Sequence, residues 1–181
     1  MRFAALFLAA ASLSALAQAP PGVTPAWELK KQLDGLVAQV RRLSPILDQV
    51  KPQEWSADGY REQHKAAQEQ VEYLARSAGA LARDPEKMTL ALDAFLRLES
   101  LERMLDSLSE GVRRYQNPAL ADLIQSAISE NSAHRSHLQT YLVELVATKQ
   151  DELRSANDEA QNCRAAAMNP AGGAKRNTRK P

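Results

Sequence analysis

The chain has little of what covalent frameworks and most catalytic sites require. It contains a single cysteine, Cys163. One thiol cannot make an intramolecular disulfide; it stays free or bridges to another molecule. The Cys-x-x-Cys-His signature of c-type haem attachment is therefore absent. As a nucleophile Cys163 has Arg164 beside it but no histidine nearby in sequence, and a thiolate on a helical end lacks a shielded pocket. There is no Gly-rich phosphate loop. Aromatics make up 5% of the chain, and Val, Ile, Thr and Tyr never gather into an alternating run; no strand is predicted. No pair of carboxylates can be assigned to one cleft. The sequence supports no hydrolase or transferase, and no cofactor is expected.

Charge of one sign is also missing. There are 23 Lys and Arg against 22 Asp and Glu. The last residues carry Lys175, Arg176, Arg179 and Lys180 with no acid, so the rest is mildly acidic. A nucleic-acid partner would need a clustered basic footprint, so none is expected. Four basic charges on a loose tail are weak grounds for an anionic surface as partner.

One long apolar run exists, and it is at the start. Met1-Arg2 gives a short positive opening, Phe3 to Leu16 is rich in Ala and Leu, and Ala15-Leu16-Ala17 has the small-x-small pattern of a cleavage site. Residues 1–17 are predicted to be a signal peptide cut before Gln18, which implies an exported protein, periplasmic or secreted. The run is too short to span a bilayer. No second such run follows, so no transmembrane segment is expected. Residues 18–23, with Pro and Gly, are predicted to be loose. At the other end, 168–181 holds Pro170, Gly172 and Gly173 and reads as a disordered basic tail.

What remains, 24–167, is rich in good helix formers. The predicted fold is all-α: an up-down-up-down four-helix bundle with a kinked first helix and a long C-terminal one. Leu29, Leu33, Leu36, Val40, Leu43, Leu47 and Val50 form a coiled-coil-like heptad seam in the first helix. Ser44-Pro45 should kink it, with Ser44 as a new cap. The second helix is predicted from about Tyr60 to Ala82, the third up to about Tyr115, and the fourth over about 118–166. Thr24-Pro25, Asp84-Pro85 and Asn117-Pro118 each read as an N-cap followed by Pro at the first helical position. Trp55 falls in the polar connector Lys51–Gly59. A ring that size is expected to cap the bundle end, covering Val112, Tyr115 and Leu120.

Two sets of residues are candidates for function. His64 and His134 occupy seam positions, and counting through the turns at 1.5 Å per residue puts them within about a turn of each other. With His137 they are candidate metal or small-ligand residues, because bundle cores host such sites. No Glu-x-x-His pair and no metalloprotease helix motif accompanies them. A lone core His or Asn is also what sets helix register. The second set comes from length. The last helix, about 70 Å long, should pass the Asp84 turn near Lys149 and overhang by about four turns. Its stripe there is Leu153, Ala156, Ala160 and Cys163. Small residues allow a second helix to approach, so this end is the expected contact with a protein partner, most simply a second copy. The leading expectation is a non-enzymatic bundle working through that end. Metal or ligand binding at the histidines is the alternative.

Overall fold

A computed structural model describes residues 24–55 and 59–168. The expected signal peptide and the segment 18–23 lie outside the described residues; of the expected tail 168–181, Met168 ends the last helix and 169–181 lie outside them too. Helix α1 is Ala26–Arg41, α2 Leu43–Leu47, α3 Gly59–Arg83, α4 Met88–Tyr115 and α5 Pro118–Met168. With α1 and α2 as one broken helix, four helical segments pack as a bundle. Among the described residues there is no strand, and no helix is long and apolar enough to cross a membrane.

The seams form the core. All seven α1–α2 seam residues are buried, and so are Ala67, Val71, Leu74, Ala78 and Leu81 of α3. From α4 the core takes Leu98, Leu101, Leu105, Leu108 and Val112, and from α5 Leu120, Ile124, Leu138, Tyr141 and Leu145. Removing a leucine side chain from water is worth about 1.5–3 kcal/mol. Truncating Leu98, Leu101, Leu105 or Leu108 to Ala should cost about 2–5 kcal/mol.

The first helix breaks three residues earlier than its proline. Pro45 lies inside α2, and the break falls at Arg42, which bonds back to the Gln39 carbonyl. Pro45 has no N–H to offer the carbonyl of Arg41, four residues back, and its ring crowds that oxygen. The strain therefore appears a turn upstream. Ser44 does not cap α2; its N-cap is Arg42, with no side-chain bond.

The three cap-plus-proline starts resolve differently. Asn117 behaves as expected: its Oδ1 accepts the Ala119 N–H at 2.9 Å, and Pro118 is the first residue of α5. Thr24 does not cap α1. Its N–H and hydroxyl both turn to the Glu144 carboxylate, at 3.1 and 3.2 Å, and α1 starts at Ala26 after Pro25. Asp84-Pro85 makes a turn, with the Lys87 N–H on the Asp84 carbonyl, and α4 starts only at Met88. In both corrected cases a tertiary or turn partner replaced the local cap.

Contacts at the bundle ends fix how the helices meet. The Lys51 N–H donates to Gln116 Oε1 at 3.0 Å, and Gln116 Nε2 donates to the Gln49 carbonyl at 2.7 Å. The exit of α2 thus lies against the α4–α5 turn. At the opposite end the Tyr141 hydroxyl donates to the Pro85 carbonyl, and Thr24 meets Glu144. The middle of α5 therefore passes the α3–α4 turn and the start of α1 together.

Trp55 closes the first of these ends. It is 5% exposed, stacked on Tyr115 at 5.8 Å and edge-on to Tyr60 at 5.2 Å. Gly111, buried in α4, lets these rings approach: a Cβ there would lie 2.8 Å from both Trp55 and Tyr60.

Candidate functional site

The second bundle end is where α5 leaves its neighbours. Leu138, Tyr141 and Leu145 are buried, and Lys149 is half-buried between Glu86 at 3.2 Å and Glu152 at 3.0 Å. From Asp151 to Met168 every residue is exposed. The helix nevertheless continues without a break, extending about 27 Å past the bundle. At its base Glu152 still shares a cavity wall with the start of α1 and the α3–α4 turn.

This arm continues the core seam. The spacing 138, 141, 145, 149, 153, 156, 160, 163 steps by three and four throughout, so Leu153, Ala156, Ala160 and Cys163 lie on the side of α5 that faces the bundle lower down. Leu153 is 71% exposed and Cys163 is exposed with its thiol free. At the base of the arm is a cavity of about 290 Å³. Thr24, Pro25, Pro85, Tyr141, Thr148 and Glu152 contribute to its walls. Acids gather here: Glu86, Glu144, Asp151 and Glu152, with Lys149 paired to Glu86 and Glu152 and Arg154 paired to Asp151.

The histidines do not assemble as the register count expected. His64 Nε2 is 2.8 Å from the Leu47 carbonyl, in the α2–α3 contact. His134 Nε2 is 2.9 Å from Gln39 Oε1, in the α1–α5 contact. Leu47 and Gln39 are about 12 Å apart along the first helix at 1.5 Å per residue. His134 and His137 border the same small pocket, but His137 is exposed. Among the described residues no group of three His, Cys, Asp or Glu is placed to hold a metal ion. Burial holds the His134 imidazole below its ordinary pKa, and neighbouring His137 adds to the effect.

Two polar groups are buried near the centre of the bundle: Asn131 of α5, at a seam position, and Glu102 of α4, which the sequence reading passed over. Asn131 is fully buried, and neither end of its amide meets a hydrogen-bond partner. Glu102 of α4 is also buried, paired with Arg135 at 3.0 Å through one oxygen only. Burial pushes the Glu102 carboxyl up; Arg135 opposes this and Glu99 reinforces it. Glu102 lies next to the seam residue Leu101. It becomes interior because α4 packs against both α3 and α5 and so buries a wide arc, which one-helix periodicity does not reveal. Around Asn131 the hydroxyls of Ser129, Ser132 and Ser136 bond back to carbonyls of their own helix. Such bonds slightly weaken and bend a helix.

Sequence reasoning also passed over Trp27, 70% exposed in the first turn of α1 and at the same bundle end as the arm. Comparison with known protein families, with curated proteins and with solved structures finds no match to the chain.

Proposed function

We propose that the protein works without catalysis, by holding a protein partner along the arm of α5. The observation that carries this is the uncovered seam. A helix of a soluble bundle normally spends its apolar side on its own core, yet Leu153, Ala156, Ala160 and Cys163 face outward with nothing over them. Short helical stretches gain most of their stability from such packing. Two of the three exposed stripe neighbours of Leu153 are alanines, and small side chains let another backbone come close. The histidines, by contrast, are each engaged by a carbonyl or an amide or stand apart. Within this proposal the protein is exported, with the mature chain starting near Gln18.

Hydrogen exchange of the arm tests the reading. The full mature chain is compared with Ala156→Glu/Ala160→Glu, which puts charges on the stripe and leaves every bundle contact intact. Slow exchange across 151–168, lost in the variant while the bundle stays protected, is the expected result. An arm that exchanges as fast as an isolated helix in both proteins removes the proposal.

A further inference from the structure

We infer that the groove between α4 and α5 is a binding site for a short linear diamine in its diammonium form. The site lies on the flank of the bundle, away from the arm, and does not depend on the docking reading.

The groove holds a cavity of about 430 Å³. Glu99, Glu102 and Asp106 of α4 contribute to one wall, and Ile128, Ser129 and Ser132 of α5 to the other. The Glu102 side chain is 7% exposed, and its Oε2 pairs with Arg135 at 3.0 Å. Its Oε1 is buried and meets no donor. A buried charged oxygen without a donor costs more than a neutral one, so Glu102 gains from a donor that brings positive charge. Burial pushes this carboxyl up more than Arg135 pulls it down, and Glu99 adds to the rise. The last torsion of a Glu side chain is broad, so a small turn of the carboxylate brings Oε1 to the cavity that Glu102 already lines.

The other polar groups fix which way the hydrogen bonds must run. Ser129 and Ser132 donate their hydroxyl protons to the carbonyls of Gln125 and Ser129, at 3.0 and 2.7 Å. What each hydroxyl has left to offer is lone pairs. Asp106 accepts from Gln125 Nε2 through Oδ1 at 2.9 Å, and its Oδ2 is a further acceptor. The donors are Arg103 and Arg135, and both already face a carboxylate, Glu99 at 3.9 Å and Glu102 at 3.0 Å. The remaining capacity is therefore for accepting. An anion would meet three carboxylates. Among the described residues no three metal-ligating side chains are placed to hold a metal ion. An ammonium supplies both the protons and the charge.

The spacing asks for two ammoniums. Arg135 on Glu102 and Gln125 on Asp106 fix the register of the antiparallel pair. That register puts Ser132 about level with Glu102, and Ser129 about level with Asp106. The two acceptor pairs are about 6 Å apart along the groove, from four residues at 1.5 Å each, which an aliphatic chain of about four carbons bridges. Ile128, partly buried against the core, gives the methylenes an apolar wall.

Titration calorimetry of the full chain at neutral pH tests this with 1,4-diaminobutane, and with 1-aminobutane as the one-ended control. The diamine should bind saturably and about tenfold or more tighter than the monoamine, the worth of one hydrogen bond to a charged group. Glu102→Gln should weaken the diamine by a similar factor. Asp106 is exposed, so Asp106→Asn should fold as the wild type does, and it should bring the diamine down to the affinity of the monoamine. Asp158→Asn, at an exposed acid on the arm, should leave binding unchanged. Absence of saturable binding to the wild type would overturn the inference. So would undiminished binding by Asp106→Asn, or an equal loss in Asp158→Asn.

Discussion

Two glycines in comparable helical settings should respond to the same substitution with opposite signs. In a helix interior, Gly→Ala is worth about 1 kcal/mol because Gly loses more backbone freedom on folding. At Gly79 in α3 an added Cβ meets nothing within 4 Å, so Gly79→Ala should gain most of that. At Gly111 in α4 the Cβ would lie 2.8 Å from both Trp55 and Tyr60. Trp55, Tyr60 and Tyr115 form one three-ring cluster with centroids 5.2, 5.8 and 6.2 Å apart, so neither ring over Gly111 can swing clear without losing ring contacts. Overpacking of this kind costs about 1–3 kcal/mol. Against the propensity gain, Gly111→Ala should be neutral to about 2 kcal/mol destabilising, and the two variants should differ by about 1–3 kcal/mol. Urea unfolding followed by circular dichroism and by tryptophan fluorescence measures both. The fluorescence change should report Trp55, because Trp27 is already exposed. Equal stabilisation by the two substitutions would refute the packing of Trp55 and Tyr60 on Gly111, and with it the closed bundle end.

Three further outcomes are expected. Asn131→Leu should raise stability by about 1–3 kcal/mol in chemical unfolding, since it removes a buried amide that pairs with nothing; a loss of that size would mean that the amide is paired in solution. Burial holds the His134 pKa below its unfolded value of 6.5. The unfolded chain therefore binds more protons as pH falls through about 6.5, and the stability present above that pH is lost on acidification. His134→Gln should flatten the stability–pH curve there, and an unchanged slope would contradict the burial. Ending the chain after Gln150 should leave the bundle's unfolding free energy within about 0.5 kcal/mol, as for surface changes away from packed features; a larger drop would mean that the arm folds back on its own bundle.

Much of the architecture was legible because amphipathic helices write their buried face into residue spacing. The α1–α2 seam survives the break at Arg42, and the bounds of α3 and α5 fall within a residue or two of expectation. The helix starts were less legible. Thr24, Asp84 and Asn117 look alike in sequence, but only Asn117 caps, because Thr24 found Glu144 120 positions away in the chain. The candidate histidines illustrate the same limit. Counting at a fixed rise gives the level of a residue along the bundle, but not which groove it enters, and His64 and His134 enter different ones.

The sequence by itself determined the helices, the side of each that is buried, and a last helix longer than its neighbours. Those are properties of spacing and length along one chain. Tertiary packing alone decided that α4, wedged between α3 and α5, would bury Glu102, and that the Asn131 amide would be left unpaired. It also decided that His64 and His134 would enter different grooves. Burial depends on how many neighbours surround a helix and in which directions they lie, and that is known only when the helices are assembled.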